Sequence, residues 1–176
     1  MKMISWNFWK EKELRLETRL KAMQKKSLLI LFIFNCILLI VTWILAIYSY
    51  PRLPDQMPFW INFMGQPPML AEKSPIFFVY PIVQTIFVCL FLGIAQILAS
   101  REREEWKRKL LKDYVLLSLI FFNLIFIHVL SSLVLLAHQI RTGINRTYFF
   151  SIFIVILLLI PYYRMRMKLL AQEKKS

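Results

Sequence analysis

Four stretches of the chain contain no Asp, Glu, Lys or Arg: residues 27–51, 74–100, 114–140 and 147–163. Runs of this kind leave few folds open. At helical rise about 20 residues cross a hydrocarbon core of about 30 Å, and the apolar centre of the first run, residues 28–49, has 22. The fourth run is the shortest, with 17 residues. It is expected to end near Pro161 and to cross with little tilt, using Tyr162 and Tyr163 with Arg146 and Arg164 at the two interfaces. Because the runs are continuously apolar, and only a helix satisfies its own backbone in lipid, helices are expected in place of barrel strands. Composition agrees: 59% of residues are hydrophobic and 19% charged, against roughly half and a quarter in soluble domains. The expected fold is an all-α integral membrane protein with four transmembrane helices.

The net charge of +13 would suggest nucleic acid if the basic residues formed one surface, and they do not. Lys and Arg number eight in residues 1–26, two in 50–75, six in 100–113, two in 139–147 and five in 164–176. Heavy and light segments alternate, nineteen on one side against four on the other, and positive loops stay cytoplasmic, so both termini are expected inside. Acidic residues are interleaved, as in Arg101-Glu102-Arg103-Glu104-Glu105, and no basic stripe carries stacking aromatics. The excess is therefore read as a topology and lipid-surface signal, with the bilayer as the main partner and no nucleic acid.

These counts divide the chain into a cytoplasmic amphipathic helix (1–26), a first span (27–49), a Pro-rich outward loop (50–75) and a second span (76–99). A charged cytoplasmic connection (100–113), a third span (114–138), a short outward loop (139–147), a fourth span (148–163) and a basic tail (164–176) follow. The first apolar run is read as a retained anchor, since it is long and Ala46-Ile47-Tyr48 lacks a small residue at a cleavage position. In the amphipathic segment Met3, Trp6, Trp9, Leu16, Leu20 and Met23 recur at helical spacing, and no Gly or Pro occurs before Pro51. Such a helix is expected to lie in the headgroup layer, anchored by Trp6 and Trp9, with a docking surface for a cytoplasmic partner as the alternative. In the connection, Glu104 with Arg108 and Glu105 with Lys109 have favourable helical spacing.

Catalytic chemistry finds little to work with. Cys36 and Cys89 lie inside spans, His128 and His138 share the third, and Gly65, Gly93 and Gly143 each stand alone, so no metal site, phosphate loop or cofactor is expected. No span carries a carboxylate pair, and the chain is read as no enzyme. Asn35, Gln84, Asn123 and His128 are the main polar residues within the spans, joined by Thr42, Thr85, Gln96, Ser131 and Ser132. They are read as hydrogen-bonding glue between helices, with a path through the bundle and a relay at His128 as the alternative.

Six of the eight prolines, Pro51, Pro54, Pro58, Pro67, Pro68 and Pro75, fall in the first outward loop. Proline removes a donor and restricts the residue before it, so the loop is expected to be ordered, extended and turning. It also holds Leu53, Met57, Phe59, Trp60, Ile61, Phe63, Met64, Met69 and Leu70, more apolar side chains than a solvated linker carries. The loop is expected to fold back on the bundle mouth or outer leaflet, with Gly65 at a turn and Asp55, Asn62, Glu72 and Lys73 as its polar groups. It serves either as an aromatic interface cap or as a binding surface.

The order Leu53-Pro54-Asp55-Gln56-Met57-Pro58, then Asn62, Gly65, Pro67 and Lys73-Ser74, resembles a bacterial membrane domain of unknown function found in the first part of Sdp-type immunity proteins. That family has roughly LPxxIP, then H-F-N-x-x-G-x-P-D, then a Lys before the second span; Pro81 also fits it. The resemblance covers about residues 30–98. It departs at Trp60, where the family has His, and at Pro68, where it has Asp. It implies a bacterial cytoplasmic-membrane protein that protects its cell from a secreted toxin and signals at the membrane. Asp55, Trp60, Asn62, Gly65 and Lys73 are then the candidate contacts for a peptide toxin or another membrane protein. A small transporter or channel, or an accessory subunit of a membrane complex, is the competing expectation.

Overall fold

The computed structural model describes residues 3–58, 60, 69–140, 143 and 145–173, with side chains of 3–25, 146, 149, 171 and 173 outside the description. Its elements are the helices α1 (Met3–Ser49), α2 (Val79–Arg101), α3 (Glu105–Ala137) and α4 (Arg146–Glu173), and the short strands β1 (Gln56–Pro58) and β2 (Leu70–Glu72). Four helical segments are long and apolar enough to cross a membrane: Lys26–Arg52, Pro75–Arg101, Glu105–Ala137 and Phe150–Leu170. The chain is a membrane-helix protein. Its bundle has a hairpin end, where β1 and β2 lie, and a charged end, where α2 gives way to α3.

α1 is one helix of 47 residues, roughly 70 Å long. It passes without interruption through residue 26, where a headgroup-layer helix was expected to meet the first span. The reason is local: Lys25, Lys26 and Ser27 end the charged stretch but include no helix breaker. The expected anchoring set from Met3 to Met23 lies on this helix, with its side chains outside the description. The helix stops where Pro51 removes the next donor, and the chain tightens into a 3-10 turn at Tyr50–Arg52.

A second 3-10 turn, Pro75–Phe78, leads into α2; the Ser74 hydroxyl accepts from Ile76 N–H, and Pro75 sits where a missing donor is harmless. Pro81 is tolerated for the same reason, being in the first turn of α2. At the charged end Glu102 to Glu104 make a tight connection, and α3 begins at Glu105. The Glu105–Lys109 pair forms at 2.9 Å. Glu104 reaches Lys107 at 3.0 Å, while Arg108 donates to the Glu102 carbonyl at 3.0 Å.

α3 is the hub. Its buried residues, among them Leu110, Leu119, Asn123, Leu130 and Leu133, go round much of the helix, because α1, α2 and α4 all pack on it. Phe122 meets Phe87 and Phe91 of α2 at ring separations of 5.1 and 5.6 Å. α4 buries one narrow stripe, Ile152, Ile156 and Tyr163, and runs antiparallel to α3: Tyr148 packs tilted against His128 near the hairpin end, and Tyr163 against Tyr114 near the charged end. The helix continues through Pro161 to Glu173, beyond the expected end of the fourth span. A proline within a lipid-facing helix loses one hydrogen bond, and packing of Tyr163 beyond it holds the helix in line.

The last turn of α3 closes in a Schellman arrangement. Ile140 N–H donates to Leu135 O and Gln139 N–H to Leu136 O, both at 3.0 Å. Gln139 stands at φ 57°, the left-handed position that usually takes glycine. We expect Gln139→Gly to raise thermal stability in detergent by about 1 kcal/mol, read as an upward shift of the unfolding midpoint.

Candidate functional site at the hairpin end

The two described ends of the expected loop are joined by a short ribbon. β1 and β2 pair antiparallel, Gln56 with Glu72, Met57 with Ala71 and Pro58 with Leu70. One face of this ribbon turns inward: Leu53 and Met57 are buried with Ala46 of α1, Phe77 before α2, and Leu130 and Ala137 of α3. Tyr50 covers the cluster, stacked on Phe77 at 6.1 Å and tilted on Phe78 at 5.0 Å. The described ends of the loop, 50–58 and 69–78, thus cover this end of the bundle.

Lys73 is the polar bolt of this ribbon. Its Nζ donates to the carbonyls of Pro51 and Leu53, each at 3.1 Å, and lies 5.3 Å from the centre of the Tyr50 ring. Its backbone N–H donates to Asp55 O at 2.7 Å. These acceptors are carbonyls left open where α1 ends and proline interrupts the backbone pattern, so one ammonium ties the end of α1 to β2. Arg52 holds the neighbouring turn, donating to Tyr48 O at 2.9 Å with its guanidinium 3.4 Å above the Tyr48 ring. Replacing Lys73 by Met leaves two carbonyls without their charged donor. We expect a loss of about 1–2 kcal/mol and faster hydrogen exchange at Leu53 and Lys73, measured by mass spectrometry.

The candidate residues of the loop are only partly brought together. Asp55 joins Lys73 through its main chain, and its side chain is exposed. Trp60 is 64% exposed, as are Met69 at 72% and Leu70 at 59%. Asn62 and Gly65 lie outside the described residues.

Inside the bundle, three of the four intramembrane candidates form a single chain of amides. Gln84 Nε2 donates to Asn123 Oδ1 at 2.8 Å, and Asn123 Nδ2 to Asn35 Oδ1 at 2.9 Å. Asn35 Nδ2 ends the chain on the carbonyls of Leu116 at 3.0 Å and Leu31 at 2.9 Å. The chain links α2, α3 and α1 through fully buried side chains. His128 is elsewhere, its ring 4.3 Å from that of Tyr148. Trp43, which was not among the expected polar contacts, donates to Thr85 Oγ1 at 3.1 Å, and Thr85 in turn donates to Pro81 O at 2.7 Å. Phe77 and Ala46 were also missed as cluster residues, because inside apolar runs nothing marks one residue as contacting the loop.

Residues 37–85 match a family described as Domain of unknown function (DUF1648). The matched stretch runs from the middle of α1 through the hairpin into the start of α2, so it includes Lys73, its acceptor carbonyls, Asp55, Trp60 and Gln84. No curated protein and no solved structure matches the chain.

Proposed function

We propose that the chain is a non-enzymatic, multi-pass protein of the bacterial cytoplasmic membrane, with both termini cytoplasmic, that recognises a peptide toxin through the hairpin end and confers immunity or signals its presence. The observation that carries this is the pairing of a braced backbone with exposed apolar side chains. Lys73 and the Phe77 cluster hold the ribbon, while Leu70 on β2, with Met69 and Trp60 beyond the strand ends, is left exposed. A membrane-active peptide reaches such a surface from the interface, and a preordered surface loses little entropy on binding. The family match over this segment and the loop's resemblance to Sdp-type immunity proteins add support. The transporter alternative has less behind it, since Asn35, Gln84 and Asn123 hydrogen-bond to one another in a buried chain.

Deleting the gene is expected to sensitise cells to a particular membrane-active peptide, and Trp60→Ala, which alters an exposed side chain, is expected to reproduce the defect with the protein still present. Unchanged sensitivity across a toxin panel would sink the immunity reading. The orientation has its own check: in a variant with Cys36 and Cys89 replaced, Trp60→Cys should react with an impermeant thiol reagent from outside intact cells. Labelling only after the cells are opened would reverse the topology.

A further inference from the structure

α1 and α2 are tied directly at the Trp43–Thr85 hydrogen bond, but about three helical turns nearer the charged end both lean on α3 with a crevice between them. The crevice has a volume of about 240 Å³. Phe32 of α1 forms one wall, Ala95 and Gln96 of α2 the other, and Val115 and Leu116 of α3 the floor, with Lys112 at its mouth. Lys112 is half-buried and forms no ion pair or hydrogen bond with any other described residue. It lies two turns into α3 from Glu105, the depth at which the charged connection passes into the apolar run.

We propose that this crevice holds one acyl chain of an acidic phospholipid, with the lipid phosphate on the Lys112 ammonium. Each part of such a lipid finds its counterpart. The floor and the Phe32 wall are apolar, so the trough suits a hydrocarbon chain and gives water few partners. No carboxylate lines it, and a lysine at headgroup depth attracts the anionic headgroup over a zwitterionic one. Gln96, exposed beside Lys112, adds amide donors for phosphate or ester oxygens.

Native mass spectrometry of the full chain in detergent, titrated with dimyristoyl-phosphatidylglycerol or dimyristoyl-phosphatidylcholine, tests this. One phosphatidylglycerol per chain is expected, favoured about fivefold over phosphatidylcholine. Lys112→Gln, which keeps a polar side chain of similar length at the mouth, should abolish the preference while retaining some binding of both lipids, and Lys112→Arg should keep it. Ala95→Phe, which fills the trough, should remove bound lipid of both kinds. Equal binding of the two lipids overturns the proposal, as does a preference that survives Lys112→Gln and disappears only when basic residues elsewhere are changed. A doubled protein mass in place of the lipid increment makes the occupant a second copy and overturns it too.

Discussion

Replacing Phe77 with alanine is expected to loosen the whole hairpin end and to lower stability by about 3 kcal/mol. Phe77 has no exposed surface and lies in one cluster with Met57, Leu53, Ala46 and Leu130. Truncation removes six carbon atoms from the place where the loop, α1 and α3 meet, and Met57, the flexible side chain of the cluster, refills only part of the gap. Phenylalanine to alanine changes in soluble cores are about 3–5 kcal/mol. The low end applies here, because an unfolded reference in lipid keeps part of the transfer energy and leaves mainly the lost packing. Tyr50 also loses the ring on which it stacks, which exposes Lys73 and its acceptor carbonyls. The measurement is unfolding of the purified protein by increasing sodium dodecyl sulfate in mixed micelles, together with hydrogen exchange at Leu53 to Pro58. A midpoint shift without faster exchange in the ribbon would show that Phe77 supports α2 alone and leaves the loop in place.

This effect could not have been located from the amino-acid order. The four helices are legible because a hydrocarbon core about 30 Å thick demands uninterrupted apolar runs, and nothing else in the chain produces stretches like 27–51 or 114–140. Helix ends are less legible, since charge marks where lipid stops and says little about where a helix stops. Lys25 and Lys26 are good helix formers, so α1 runs straight through them. Pro161 is a poor guide for the converse reason: the helix tolerates one missing bond while Tyr163 continues to pack on Tyr114. Lys73 was visible as a charged residue in a proline-rich loop, but its acceptors are main-chain carbonyls, and every residue has one of those. Only the turn geometry after α1 decides which of them face an ammonium.

The amide chain in the bundle raises the same issue of rotation and register. Asn35, Gln84, Asn123 and His128 looked equivalent as polar residues in apolar runs, yet 39 residues separate Gln84 from Asn123 and 88 separate Asn123 from Asn35. Their meeting depends on how α1 and α2 turn about α3. His128 lies on α3 five residues beyond Asn123, which carries it round the helix to the side where Tyr148 of α4 packs. The hub helix therefore offers different polar groups to different neighbours: the one amide of Asn123 to both α1 and α2, an imidazole to α4.

From that division follows the second large effect. Asn123→Leu should destabilise the bundle by about 2–3 kcal/mol, and Gln84→Leu by much less, although both remove a buried amide. Asn123 is the middle of the chain, accepting from Gln84 at 2.8 Å and donating to Asn35 at 2.9 Å. Its loss breaks two interhelical bonds of about 0.6–1.7 kcal/mol each and leaves the Gln84 amide and the Asn35 carbonyl buried without partners. Gln84 is the end of the chain. Its Oε1 is already buried without a hydrogen bond among the described residues, so Gln84→Leu removes that unsatisfied oxygen but strands Asn123 Oδ1 in its place, and the net loss is one interhelical bond of about 1 kcal/mol. Asn35 keeps its bonds to Leu116 O and Leu31 O in both variants. Unfolding in mixed micelles should thus place Gln84→Leu a little below wild type and Asn123→Leu well below both. The double variant Gln84→Leu with Asn123→Leu should recover part of the loss, since it no longer strands the Gln84 amide. Equal losses for the two single changes, with simple addition in the double, would mean that the amides contribute as separate polar groups and not as a chain.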